Sequence, residues 1–178
     1  MDARAIIDKY YSANEPLRQL LLTHSELVAK KALAVAERHP RLHADTAFLL
    51  EAAMLHDIGI IYTDAPAIHC HGTEPYLRHG ILGAELLRRE GLPRHARVAE
   101  RHTGTGLTAA AIVAQHLPLP PVDLVPETTE EQIVCYADKF FSKTRPTEEK
   151  TPEHVLRSLA RFGDESVHRM TQWMERFG

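Results

Sequence analysis

The sequence is short of every feature that would advertise a disulfide framework, a membrane span or a polyanionic partner. Only two cysteines occur, Cys70 and Cys135, without CxxC spacing. This excludes a disulfide scaffold and a thiolate zinc cluster, and both thiols are expected to stay reduced. No charge of one sign dominates: 21 Lys+Arg stand against 24 Asp+Glu, a formal net charge of -3. That balance argues against nucleic acid or a membrane surface as partner. No apolar run approaches the ~18 to 20 residues a span requires, and the opening MDARAIIDKYYS is charged where a signal peptide would be apolar. The expectation is a soluble, cytoplasmic protein. P-loop and GxSxG patterns are missing, so neither a phosphate-cradling loop nor a serine nucleophile elbow is indicated. With 178 residues, the chain has the length of one ordinary domain, able to bury roughly two-thirds to three-quarters of its unfolded surface.

Alternating β-branched runs are nearly absent as well, whereas helical periodicity recurs along the chain, which predicts an all-α fold. From Pro16, Leu17, Leu20, Leu21, Leu27, Val28 and Val35 keep i, i+3, i+4 spacing until Arg38–His39–Pro40 stops the helix. A second helix is predicted from an N-cap at Asp45 to about Asp57, with Gly59 providing its break. Residues 63–75, TDAPAIHCHGTEP, read as a long loop of the kind that is often functional. Helical pattern returns at residues 76–90 and 94–102, in a short segment at 108–117, and over 128–143 with Thr129 or Thr128 as N-cap. Pro118–Pro126 is a proline-stiffened connection. Two amphipathic segments, 152–162 and 164–177, complete the chain.

What the sequence has in quantity is histidine, with 12 copies. His24, His56, Asp57, His79, His102 and Asp138 each fall within or at the end of a predicted helix, and five helices supply them. Helical bundles build metal sites by projecting such ligands into the core. Imidazole and carboxylate donors suit Fe or Mn best, with Zn, Co, Ni and Mg also compatible, and six donors suit two ions sharing a carboxylate. Asp57 and Asp138 also sit near helix C-termini, where a carboxylate opposes the macrodipole and a purely structural role is least expected. By contrast, His69, Cys70 and His71 have loop spacing that predicts solvated side chains, and His95 and His116 are expected at the surface or at helix ends.

The pattern H…HD…H…H…D, centred on LHDIG at residues 55–59, resembles the HD-domain superfamily of metal-dependent phosphohydrolases. The resemblance implies one HD-domain over residues 1–178, a helical bundle whose core covers about 17–143, with the C-terminal helices 152–177 packed on it and a metal site between core helices. It also implies that His24, His56, Asp57 and Asp138 hold one metal, that Asp57 bridges to a second, and that His79 and His102 complete that second site as in the binuclear members. The subset resembles small bacterial HD proteins that cleave dinucleoside polyphosphates, and HD-GYP phosphodiesterases share the ligand pattern. Many relatives carry HDxxK, where this chain has Ile60. The function implied is hydrolysis of a phosphate ester or anhydride, as a phosphomonoesterase, phosphodiesterase or pyrophosphohydrolase, with His56 and Asp57 at the catalytic centre. The substrate would be a nucleotide or other small phosphorylated molecule, bound between the metals and the loop 63–75. Lys143, Arg145, Arg78 and Lys139 are the candidate phosphate contacts. No nucleic acid or membrane partner is expected, and a homodimer is compatible. Two alternatives share the ligand set: a mixed-valence di-iron oxygenase acting on a small polyol or phosphonate, and a non-catalytic nucleotide-binding regulatory module.

Overall fold

The longest helix, α2 (Glu15–Arg38), starts where Asn14 accepts a hydrogen bond from Leu17 N, with Pro16 in the first turn. Both features satisfy or avoid otherwise unpaired amides. It buries Leu17, Leu21, Val28, Ala32 and Val35 on one stripe, with His24 among them. In the computed structural model, which describes residues 1–145 and 148–178, α2 packs on α3 (Thr46–Leu55) and α7 (Thr129–Asp138). As expected, Asp45 caps α3 through Phe48 N. Thr128 caps α7 in a reciprocal capping box with Glu131. The short α1 (Ala3–Tyr11) covers α2 and α3, and its Tyr11 hydroxyl donates to Ile58 O while accepting from Ile61 N. This ties α1 to the turn that follows the HD dipeptide.

That turn, a 3-10 segment Ile58–Tyr62, packs against α4 (His79–Arg89), which in turn packs on α5 (Pro93–Arg101) across a turn at Gly91 with φ of 75°. Leu49, Leu55, Ile58, Ile60, Leu86, Leu87 and Ile133 are completely buried around these elements, each contributing about 1.5–3 kcal/mol of transfer free energy. The fold is therefore the expected helical bundle, with the candidate ligands between its core helices.

Three local expectations change. Residues 63–75 are not structureless: β1 (Asp64–Ala65) pairs antiparallel with β2 (Cys70–His71), and a 3-10 turn ending in left-handed His69 joins them. The α7 helix ends at Asp138, earlier than the apolar pattern suggested, and Phe140 and Phe141 are buried beyond its end. His95 is buried, with its ring edge-on to Phe48 and its Nε2 3.2 Å from a Glu51 oxygen. A short α6 (Ala109–Ala114) carries Ile112 into a second small cluster with Leu107 and Leu124. At the C-terminal side α8 (Pro152–Leu159) and α9 (Asp164–Phe177) pack on each other, and α9 on α7. No helix among the described residues is long and apolar enough to cross a membrane.

Candidate metal centre

Each of the six residues reaches one point in the bundle for a local reason. His24 sits mid-way along the buried stripe of α2; His56 and Asp57 follow the last turn of α3; His79 opens α4; His102 follows α5; Asp138 is the last residue of α7. All six are buried. They fall into two groups that share Asp57: His24, His56, Asp57 and Asp138, and Asp57, His79 and His102, each with potential ligand atoms within 4.8 Å of one another. The carboxylate is divided between them. Its Oδ2 faces His24 Nε2 and His56 Nε2, both at 3.1 Å, while its Oδ1 faces His79 Nε2 and His102 Nε2, both at 3.3 Å. Asp138 Oδ1 closes the first group, 3.0 Å from His24 Nε2 and 3.4 Å from His56 Nε2.

The far side of the histidines fixes which nitrogen points inward. Nδ1 of His56, His79 and His102 lies 2.7 Å from the carbonyl of Ala53, Tyr76 and Ala99 respectively, three residues earlier in each case. A carbonyl only accepts, so Nδ1 carries the donating proton and each Nε2 faces into the cluster, where it offers a lone pair whenever the ring is neutral. This backbone anchoring is the outer support expected of metal-binding imidazoles. Its consequence is awkward without a cation: His79 Nε2 and His102 Nε2 are only 3.0 Å apart. Both Asp57 oxygens and His56 Nε2 are also buried without a directed hydrogen-bond partner. Buried polar atoms without hydrogen bonds are costly, and an all-N/O donor set turned inward is what a divalent ion requires. The clustered residues thus fit a divalent metal.

Electrostatics agree. Burial would raise the Asp57 carboxyl, but the Lys143 ammonium and His56 outweigh it and hold the group well below its usual range. Asp138 behaves alike through Lys139 and its two histidines. Burial would lower His56, yet the Asp57 charge and the Asp138 carboxylate beside it push it up to about 9. His79 goes the other way, lowered to about 3 by burial and by neighbouring His102 and Lys143 despite Asp57, and so stays neutral.

The four candidate phosphate contacts do not act as a set. Lys143 Nζ lies 2.5 Å from Asp57 Oδ2. Lys139 Nζ is held by Asp138 Oδ2 at 2.6 Å and His102 O at 2.8 Å. Arg78 pairs with Glu74 and reaches Pro118 O. Arg145 is exposed, 3.6 Å from Glu148, outside the cleft at the cluster. That cleft is lined by His79, His102 and Asp138, by Tyr76, and by Lys139, Lys143, Lys150 and Arg161. Lys150 and Arg161 escaped sequence reasoning, because no periodicity links the segment before α8 and the turn after it to a site built by α2–α7. Ile60 is completely buried in the apolar core, so the cation nearest the cluster arrives from after α7 instead. His69 and His71 are exposed on the hairpin, as expected, but Cys70 between them is completely buried, because strand alternation turns it to the core.

Fold and cluster together define the class: the chain belongs to the HD domain family, which it matches over residues 21–142. Among relatives, it is 38% identical over 133 residues to a tRNA (cytidine(56)-2'-O)-methyltransferase of Picrophilus torridus, covering 74% of this chain and 34% of that protein. It is 35% identical over 123 residues to the Thermoplasma volcanium tRNA (cytidine(56)-2'-O)-methyltransferase, covering 68% and 32%. An uncharacterized protein of Methanocaldococcus jannaschii is 38% identical over 117 residues, 65% of this chain and 62% of that protein. The chain thus spans about a third of the two methyltransferases and less than two thirds of the third relative. No solved structure matches the chain.

These relatives correct the functional expectation. The named activity is transfer of a methyl group to a ribose hydroxyl of tRNA, not hydrolysis of a phosphate ester. The phosphohydrolase reading gives way on that finding, and with it the oxygenase and regulatory-module alternatives. The expected absence of a nucleic-acid partner falls too, since both named relatives act on tRNA. The physical reason it misled is that a whole-chain charge of -3 averages away a local concentration of lysine and arginine at one cleft.

Proposed function

We propose that this chain is a metal-holding HD unit of tRNA ribose 2'-O-methylation, whose cleft receives a sugar-phosphate segment of the RNA. The carrying observation is that Lys139, Lys143, Lys150 and Arg161 line the same cleft as the buried His/Asp cluster. Cations around a metal centre suit a polyanion better than a neutral ligand. The kinship to two tRNA methyltransferases supplies the substrate class. The shared segment is a third of their length, so the methyl-transfer chemistry is assigned to the system and the RNA-facing metal centre to this chain.

In this reading His24, His56, Asp57 and Asp138 hold one divalent ion, and His79 and His102 hold a second with Asp57 shared. Such ions supply Lewis-acid charge for a phosphate or ribose hydroxyl oxygen. The chain's own residues do the rest: the backbone-anchored histidines keep the donors aimed inward, Lys139 fixes Asp138 against His102 O, and Lys150 and Arg161 meet the RNA backbone.

The test is binding of an unmodified tRNA transcript, followed by fluorescence anisotropy over a range of salt with and without Mn2+. Binding should need the metal and weaken with salt. Lys150→Ala and Arg161→Ala should each flatten the log K against log salt slope by about 1. A metal-loaded protein that fails to bind tRNA at low salt sinks the proposal. Mass spectrometry for 2'-O-methylcytidine, with a methyl donor added, then tells whether the chain also completes the transfer alone.

A further inference from the structure

Lys143 stands where a metal-binding carboxylate would least be expected to host it. After α7 the chain buries Phe140 and Phe141 and makes a tight turn closed by a bridge between Ser142 and Arg145. Lys143 lies within that turn and sends its side chain inward, leaving it 13% exposed, with Nζ 2.5 Å from Asp57 Oδ2. This is the same oxygen that faces His24 and His56 at 3.1 Å. Although the contact is short, it does not form a directed hydrogen bond, and both Asp57 oxygens remain without one. An ammonium is held there by charge alone.

A divalent ion bound by His24, His56 and Asp138 would also need Asp57 Oδ2. Two cations crowding one buried oxygen repel strongly in a poorly screened site. Lysine can yield, because its stem is flexible and its ammonium is a point charge without a required plane. It has somewhere to go: the Tyr76 ring centroid is 5.9 Å from Nζ, and Lys143 lines both the cleft at the cluster and a neighbouring one beside the hairpin, with Lys150 and Arg161 shared between them.

We propose that Lys143 is a displaceable counter-ion of the centre, neutralising Asp57 until a divalent metal enters and then turning into the cleft to join Lys150 and Arg161 in holding a phosphate group. Metal loading then creates the anion site as well as the metal site. The inference rests on the metal reading given above but not on tRNA as the ligand.

The experiment compares wild type with Lys143→Met and Lys143→Arg. Mn2+ affinity is measured by competition with a chelating dye, and pyrophosphate affinity of the Mn2+-loaded proteins by calorimetry. Lys143→Met should bind Mn2+ at least about tenfold tighter, the sign expected when a competing cation is removed, and pyrophosphate about tenfold weaker. Lys143→Arg should return both values toward wild type. Equal or weaker Mn2+ binding by Lys143→Met overturns the proposal. A second readout needs no variant: acetylation of Lys143 in the wild type, followed by mass spectrometry, should rise several-fold when Mn2+ is added. Unchanged or lower labelling overturns it. Wild type that takes up no Mn2+ removes the metal reading itself, whereas wild-type uptake with unaltered Lys143→Met affinity removes only this inference.

Discussion

Asp57→Ala is expected to cost the protein all of its divalent metal, while His102→Ala costs it one equivalent and leaves the other. The difference follows from how the donors are shared. Both groups of potential ligands contain Asp57, with one oxygen turned to each pair of histidines, and two-metal centres depend on such a bridge. Losing only a supporting hydrogen bond costs a metal site about 10- to 100-fold in affinity, so losing the shared carboxylate should exceed a hundredfold at both positions. His102 Nε2 faces Asp57 Oδ1 and His79 Nε2 and meets the other group only through an edge-on ring contact with His56, so the group containing His24 and Asp138 should keep its ion. Elemental analysis of proteins purified without chelators reads the result directly. An Asp57→Ala protein that retains one equivalent refutes the bridging role.

Asp57→Ala should also destabilise the metal-free protein. The substitution strands the Lys143 ammonium, which loses its buried counter-charge inside the bundle. Breaking a buried ion pair from one side costs about 3–5 kcal/mol. Metal loss and a lower melting temperature are thus separate consequences of one carboxylate, and wild type stripped by a chelator distinguishes them: it should melt above the chelated variant.

How much of this was written legibly in the chain depends on range. The helices and the cap at Asp45 are local effects of a few residues and could be read directly, whereas the cap at Asn14 was not read and that of α7 was legible only as Thr128 or Thr129. His24 and His56 were legible because each falls on an apolar stripe, where a polar group demands a partner, and Asp57 and Asp138 because they stand near helix C-termini; His79 and His102 joined the set through the resemblance. Range is also what hid the rest. The cleft's Lys150 and Arg161 come from beyond α7 and enter no periodic pattern. The hairpin at 64–71 has strands of two residues, too short for alternation to register. The proposal of RNA as a ligand class rests on kinship to the two tRNA methyltransferases, because global charge carries no information about where the lysines gather.

Gly59 shows the same limit at a single position, and its replacement is the second large effect. Read locally, the glycine after HD-Ile serves to break a helix. In the folded chain it does not adopt a positive φ, so backbone freedom is not its reason. An added Cβ would instead lie 2.1 Å from His79 O and 2.3 Å from Gly83 N, both backbone atoms of α4 that cannot swing aside as a side chain can. Gly59→Ala must therefore push the 58–62 turn and α4 apart, and α4 carries His79 on its first turn. The expected cost is about 3 kcal/mol, or roughly 6–12 °C in melting temperature for a chain of this size, with loss of the ion nearest His79. Gly91→Ala is the informative contrast: Gly91 has φ of 75° and nothing within 4 Å of its added Cβ, so it should cost only about 1–2 kcal/mol of left-handed strain and leave metal content intact. Thermal melts and metal analysis of the two variants separate close approach from conformational freedom. If Gly59→Ala melts like Gly91→Ala and keeps its metal, then the contact between the HD turn and α4 is looser than the distances require, and His79 is not positioned by it.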